Sequence, residues 1–127
     1  MPEVWSAPVR FAECDQQGVA FNAHYLSWAD EAVNAWWAAA GLPYGALAAW
    51  GLEYFVKATS LDWGSSARYG DTVAVDAELE RLGRSSLTLG FTVRVGERVC
   101  CTIRTTYVAT AGGRPAPWPD DVRARIS

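Results

Sequence analysis

Between residues 22 and 40 the polar side chains Ser27, Asp30, Glu31 and Asn34 recur at i, i+3, i+4 and i+7, which is one narrow stripe along a helix. Most other positions there are apolar: Tyr25, Leu26, Trp28, Ala29, Ala32, Val33, Trp36 and Trp37. Asn22 suits an N-cap, and Gly41 and Pro43 predict a stop near Ala40. After Asn34 the polar stripe ends. A helix that is apolar around most of its circumference must be covered on most sides. A flat sheet lying against it does not do that, so the pattern requires a curved one.

The flanking segments supply that sheet. Residues 4–12, VWSAPVRFA, read as a first strand, with Pro8 suited to an edge. Residues 13–21 form a loop centred on Gly18. Residues 53–63 are apolar and mixed, and Tyr69-Gly70-Asp71 marks a turn. From 72 to 80 the apolar residues Val73, Val75, Ala77 and Leu79 alternate with mostly polar ones, and from 87 to 95 Leu87, Leu89, Phe91, Val93 and Val95 do the same. Gly96-Glu97 fits a two-residue hairpin turn, residues 98–110 a long last strand, and Asp120 to Ile126 a short helix after a Pro-rich tail. The order is strand, long helix, then about four antiparallel strands, hence an α+β fold with a sheet of about five strands curled round one helix.

The length of 127 residues implies one domain spanning 1–127, large enough to bury a core without disulfides or metal. Seven tryptophans point to a large apolar core, pocket or subunit interface. A net charge of −3 disfavours nucleic acid as a partner, although ten of the 11 basic residues are Arg and a local cluster could hold phosphate. Residues 32–52 carry no charge, but Pro43 and Gly41, Gly45 and Gly51 interrupt them, so no membrane span is expected. The N-terminus, MPEVWSAPVRFAEC, lacks the basic and apolar regions of a secretion signal. The three cysteines include an adjacent pair, Cys100 and Cys101, whose side chains point to opposite faces of a strand. A cytoplasmic protein is expected. With one histidine and no Cys/His spacing, no metal site is expected.

Candidate chemistry gathers in residues 13–24. Asp15 precedes the Gly18 loop, and the loop runs into a helix N-terminus whose free N–H groups can receive an anion or oxyanion. A carboxylate beside backbone donors suits acyl transfer: the donors stabilise charge on a carbonyl oxygen while the carboxylate attacks the carbon or activates water. On spacing alone, Asp15 and Gly18 are more simply read as turn residues and Asn22 as a cap. Glu13 would share a face with Asp15 if the strand continued, and is the reserve carboxylate. Cys14 would point the other way and pack.

The segment RFAECDQQGVAFNAHYLSWADEA resembles the signature of the 4-hydroxybenzoyl-CoA thioesterase family of hotdog-fold proteins, at Asp15, Gly18, Val19, Asn22, Tyr25, Leu26 and Trp28. The resemblance continues through Tyr69-Gly70-Asp71-Thr72-Val73, Leu82-Gly83-Arg84-Ser85-Ser86 and Gly113-Arg114-Pro115. It implies a hotdog fold and hydrolysis of an acyl-CoA or acyl-carrier-protein thioester to free acid and thiol, with no cofactor or metal. Asp15 takes the place of the catalytic carboxylate, nucleophile or general base, and the Asn22 N–H that of the donor to the thioester oxygen. Gly18, Val19, His24, Tyr25 and Trp28 fall around the substrate. Arg84, Ser85 and Ser86 fall where relatives hold coenzyme A, with Arg81 as a possible helper. The resemblance also implies a homodimer or homotetramer with the site at a subunit interface. The alternatives are a non-catalytic acyl-thioester-binding module and an enoyl-thioester hydratase, although the Gly-Asp-x-Asn-Pro-type context of hydratases is absent from the sequence.

Overall fold

In the structure, a computed structural model describing residues 2–127, a single antiparallel sheet wraps helix α1, Ala23–Ala39. The strands are β1 (Glu3–Pro8), β2 (Glu53–Trp63), β3 (Thr72–Leu82), β4 (Ser86–Val95), β5 (Arg98–Ala111) and the two-residue β6 (Arg114–Pro115). Their order is β1-β3-β4-β5-β2, with β6 added to β5. This is the α+β architecture with the curved sheet that the helix pattern required, and the hotdog arrangement that the resemblance implies. No helix among the described residues is long and apolar enough to cross a membrane.

The periodicities translate directly into faces. Ser27, Asp30, Glu31 and Asn34 are all exposed, while Tyr25, Trp28, Ala29, Ala32, Val33 and Trp37 enter the core. From the sheet, Val73, Val75, Ala77, Leu87, Leu89, Phe91 and Val93 are fully buried beneath the helix. At the helix C-terminus Trp37 packs between Tyr54 of β2 and Trp118, with ring centroids 5.8 and 5.6 Å away. Trp118 precedes α2 (Asp120–Ile126), whose Val122 and Ile126 close that end of the core. Gly96 opens the β4–β5 turn at φ +61°, a left-handed conformation that an L side chain strains to adopt. Cys100 and Cys101 are both buried and unbridged.

Two expectations need correction. The first strand ends at Pro8 and does not reach residue 12, because the Glu13 carboxylate reaches back to accept the Arg10 N–H at 2.7 Å and curls Phe11–Glu13 into a 3-10 turn. That turn also removes the strand geometry that would have set Glu13 beside Asp15. On β3 the alternation is incomplete, since Asp76 is buried as well as its odd-numbered neighbours. Arg94 of β4 covers Asp76 with two hydrogen bonds, at 2.9 and 3.1 Å, so the carboxylate is paired where it is buried.

β2 stands apart. It is an edge strand of 11 residues, and most of its side chains are exposed on both faces. Phe55, Val56 and Trp63 are each about half exposed. The whole chain has 7206 Å² of accessible surface, against roughly 6,600 Å² expected for a compact monomer of this mass.

Candidate active site

Asp15 sits at the start of a miniature hairpin. Its N–H donates to Val19 O at 3.0 Å, its own carbonyl accepts the Gly18 N–H at 3.0 Å, and Phe21 N–H closes the base on Glu13 O at 2.9 Å. Gly18 turns the chain at φ +75°, and a Cβ added there would meet nothing within 4 Å. Dihedral angle, not crowding, therefore demands glycine, and the space in front of the loop stays open. The Asp15 side chain is exposed, and Oδ1 accepts the Gln17 N–H at 2.8 Å. Oδ2 makes no hydrogen bond among the described residues. The turn and chemical readings of Asp15 thus coexist in one side chain, with one oxygen used by the loop and the other left over.

The loop leads straight into α1. Asn22 occupies the N-cap position but has helical dihedrals, φ −50° and ψ −40°, and its side chain caps nothing. The expected side-chain cap is absent because a residue already in helical conformation cannot fold its amide back over the first turn. Backbone carbonyls serve instead: His24 N–H donates to Phe21 O at 3.0 Å and Tyr25 N–H to Asn22 O at 3.3 Å. The N–H groups of Val19, Asn22 and Ala23 make no hydrogen bond among the described residues. The connection therefore holds a carboxylate oxygen and three unused backbone donors at the positive end of a 17-residue helix. The Ala23 donor escapes sequence reasoning, since only the dihedrals of Asn22 decide which amides remain unpaired.

Other expected site residues have different places. Tyr25 is 1% exposed and Trp28 3%, and both pack into the core. Tyr25 OH accepts the Ala67 N–H at 3.1 Å, and the Trp28 indole donates to Glu13 Oε2 at 3.0 Å. Burial pushes the Glu13 carboxyl up, but hydrogen bonds from the Arg10 N–H, the Arg10 guanidinium and the Trp28 indole outweigh it and hold Glu13 below the usual range. Glu13 is therefore an ionised, buried carboxylate with both oxygens already held by protein donors. Cys14 is half-buried and packs against the core. His24 is half-buried at the rim, edge-on to Phe21. No cluster of potential metal ligands exists among the described residues.

Arg84 and Ser85 lie in the β3–β4 turn and Ser86 opens β4; the Arg84 and Ser85 carbonyls accept Trp118 N–H and Ala109 N–H at 2.9 and 2.7 Å. β3 starts beside the Asp15 loop and ends at this turn, and its 11 residues span about 35 Å at the usual strand rise. Within one chain the two groups lie at opposite ends of the sheet. At the Asp15 end the sequence offered no signal for Arg68, which bridges to Val19. Its side chain is exposed and makes no ion pair among the described residues. Phe11 and Tyr69, edge to face at 5.8 Å and both exposed, flank the same loop.

Similar proteins share this whole architecture. A hypothetical protein from Thermus thermophilus superposes with a TM-score of 0.92 at 28% identity, covering 98% of this chain and 97% of its own. A thioesterase from Thermus thermophilus, solved with coenzyme A and zinc, gives 0.85 at 29% identity over 96% and 89%. A 1,4-dihydroxy-2-naphthoyl-CoA thioesterase from Synechocystis gives 0.86 over 96% and 93%, and at 20% identity it speaks for the fold alone. The sequence pattern of the thioesterase-like superfamily matches residues 9–126, from the end of β1 through the Asp15 loop to the last turn of α2. With the wrapped helix, the loop and nearly the full length in agreement, the chain belongs to the thioesterase-like superfamily.

Proposed function

We propose that this protein hydrolyses an acyl-CoA thioester, with Asp15 as the catalytic carboxylate. The observation that carries the reading is the free Asp15 oxygen on the same short connection as the unused N–H groups of Val19, Asn22 and Ala23. A thioester carbonyl oxygen directed at those donors would have its developing charge stabilised as the tetrahedral intermediate forms. Asp15 then either takes a proton from an attacking water or attacks the carbon itself. On the water route, collapse expels the thiolate, which receives that proton. On the nucleophilic route, collapse leaves an acyl-Asp15 anhydride, which water then hydrolyses, its proton passing to the thiolate. Either route consumes one water and yields one acid and one thiol. Membership of the superfamily supports thioester hydrolysis as the general chemistry. The coenzyme A bound to the thioesterase from Thermus thermophilus supports coenzyme A as the thiol.

The reading includes a dimer. β2 runs antiparallel to α1: Trp63 packs near Tyr25 at the helix start, and Tyr54 near Trp37 at its end. Its outer edge is long, half-apolar and unpaired among the described residues, which is a template for another strand. If two copies pair antiparallel along β2, the far end of one chain comes beside the Asp15 loop of the other. That end carries Arg84, Ser85 and Ser86 for the phosphates or pantetheine. It also carries a hollow of about 470 Å³ lined by Trp37, Leu42, Leu47 and Tyr54, with room for an acyl group. The surface in excess of a compact monomer's fits the same picture.

The test is free-thiol release from a panel of acyl-CoAs, aromatic to long-chain, with the wild type and Asp15→Asn side by side. The expected result is turnover on part of the panel and a loss of about 100-fold or more in the variant. Activity unchanged in Asp15→Asn removes Asp15 from the chemistry. No release from any acyl-CoA or acyl-carrier protein favours the non-catalytic binding module.

A further inference from the structure

Asp15 has little of its own to hold it. Residues 15–17 are exposed, and the carboxylate's one tie is to Gln17 within the same loop. Yet catalysis by a carboxylate depends on its position, and a displacement of 1 Å can cost about 100-fold in rate. The loop must therefore be fixed from its base. On one side the base is held by Ala20 N–H donating to Ala67 O at 2.8 Å. The other side is Glu13, two residues before Asp15.

The Glu13 side chain is 4% exposed and gathers donors from three directions. The Arg10 N–H reaches it at 2.7 Å, the Arg10 guanidinium at 3.3 Å and the Trp28 indole N–H at 3.0 Å. Its backbone carbonyl meanwhile accepts Phe21 N–H, the bond that closes the Asp15 hairpin. One residue thus joins the end of β1, the hairpin base and the second turn of α1. A hydrophobic residue could fill the same volume, but it would leave the Trp28 and Arg10 donors unpaired. A buried ionised carboxylate is costly unless its partners are fixed, so its presence fixes them.

We propose that Glu13 is the positioning residue of this site: its buried carboxylate locks the Asp15 loop to helix α1 through Arg10 and Trp28. The proposal rests on Asp15 being the catalytic carboxylate, and Glu13 itself touches no substrate. Ser27 and Glu31 line the same hollow between β1 and α1 as Arg10, Glu13 and Trp28. They make no hydrogen bond to Glu13, so the fixing belongs to the three donors above.

The experiment compares the wild type, Glu13→Gln and Trp28→Phe in two readouts. The first is amide hydrogen exchange of the loop, which does not depend on activity. In Glu13→Gln the Asp15 and Gly18 amides should exchange at least about tenfold faster relative to those of the β3–β4 ladder, because a neutral amide cannot hold all three donors. The second is steady-state kinetics on whichever acyl-CoA the wild type cleaves. Glu13→Gln should lose about 10- to 100-fold in kcat with KM within about threefold, and Trp28→Phe, which removes one donor, a smaller part of the same kcat. A merely structural role would lower the melting temperature and leave the kcat of folded enzyme unchanged. Folded Glu13→Gln with wild-type loop exchange overturns the proposal, as does kcat within about twofold of wild type. If Glu13→Gln fails to fold, Trp28→Phe decides by the same criteria. An Asp15→Asn variant with full activity refutes the catalytic reading of Asp15, while the exchange data still decide whether Glu13 holds the loop.

Discussion

Replacing Tyr25 by Phe removes one oxygen atom and leaves the ring in place. In the structure that oxygen lies inside the core and accepts the Ala67 N–H at 3.1 Å, while Ala67 itself is fully buried. Burial pushes the Tyr25 hydroxyl's pKa up, against the opposing pull of the Ala67 N–H, as expected of a neutral acceptor enclosed by protein. Tyr25→Phe makes no cavity, so its cost is that of a buried backbone donor left without a partner, about 1 to 3 kcal/mol. At about 2.1 cal/mol/K per residue, the 127 residues melt with an entropy near 0.27 kcal/mol/K. The melting temperature should therefore fall by about 4 to 11 °C. Calorimetry measures this directly, and thiol release on the same samples gives the kinetic side. KM for the acyl-CoA should stay within about threefold, since the hydroxyl faces Ala67 and not the open side of the loop. An unchanged melting temperature with a KM raised by about tenfold would refute the argument and place Tyr25 on the substrate wall.

Val56→Lys puts a charge on the half-exposed, apolar outer strand. It should weaken self-association by about tenfold or more without loss of fold, because lysine on an edge opposes strand addition. Sedimentation at micromolar concentration checks it, and a monomeric wild type would overturn pairing through β2. Thiol labelling near neutral pH should modify Cys14 alone in the native protein and all three cysteines after unfolding. Cys100 and Cys101 are sealed, and burial pushes the Cys101 thiol up to about 11, so its reactive thiolate is scarce until the pH approaches that value. Fast native labelling of the adjacent pair would mean that the β5 core opens readily.

Much of the fold was legible because its signals are local. The stripe of Ser27, Asp30, Glu31 and Asn34 and the alternation of Leu87, Leu89, Phe91 and Val93 report which face of an element is wet, and all eight side chains lie where the period puts them. Gly18 and Gly96 announce their turns because their positive φ angles exclude most other residues. The location of the candidate site, a carboxylate before a glycine loop before a helix, could be read the same way. The state of its groups could not. Which amides stay free depends on the helical dihedrals of Asn22, and local propensity favoured a side-chain cap there.

The sequence by itself determined the elements, their buried faces and a short segment rich in possible chemistry, since each follows from spacing over a few residues. Tertiary structure alone decided what those residues do. Glu13 became a structural carboxylate through Trp28, 15 positions away, and Tyr25 a core acceptor through Ala67, 42 positions away. The Arg84 turn went to the far end of the sheet because β3 runs its full length before turning. β2 was left as an open edge because β5 takes one of its sides and none of the described strands takes the other. Burial, hydrogen-bond satisfaction and sheet order are set by contacts between distant segments, and no local period encodes them.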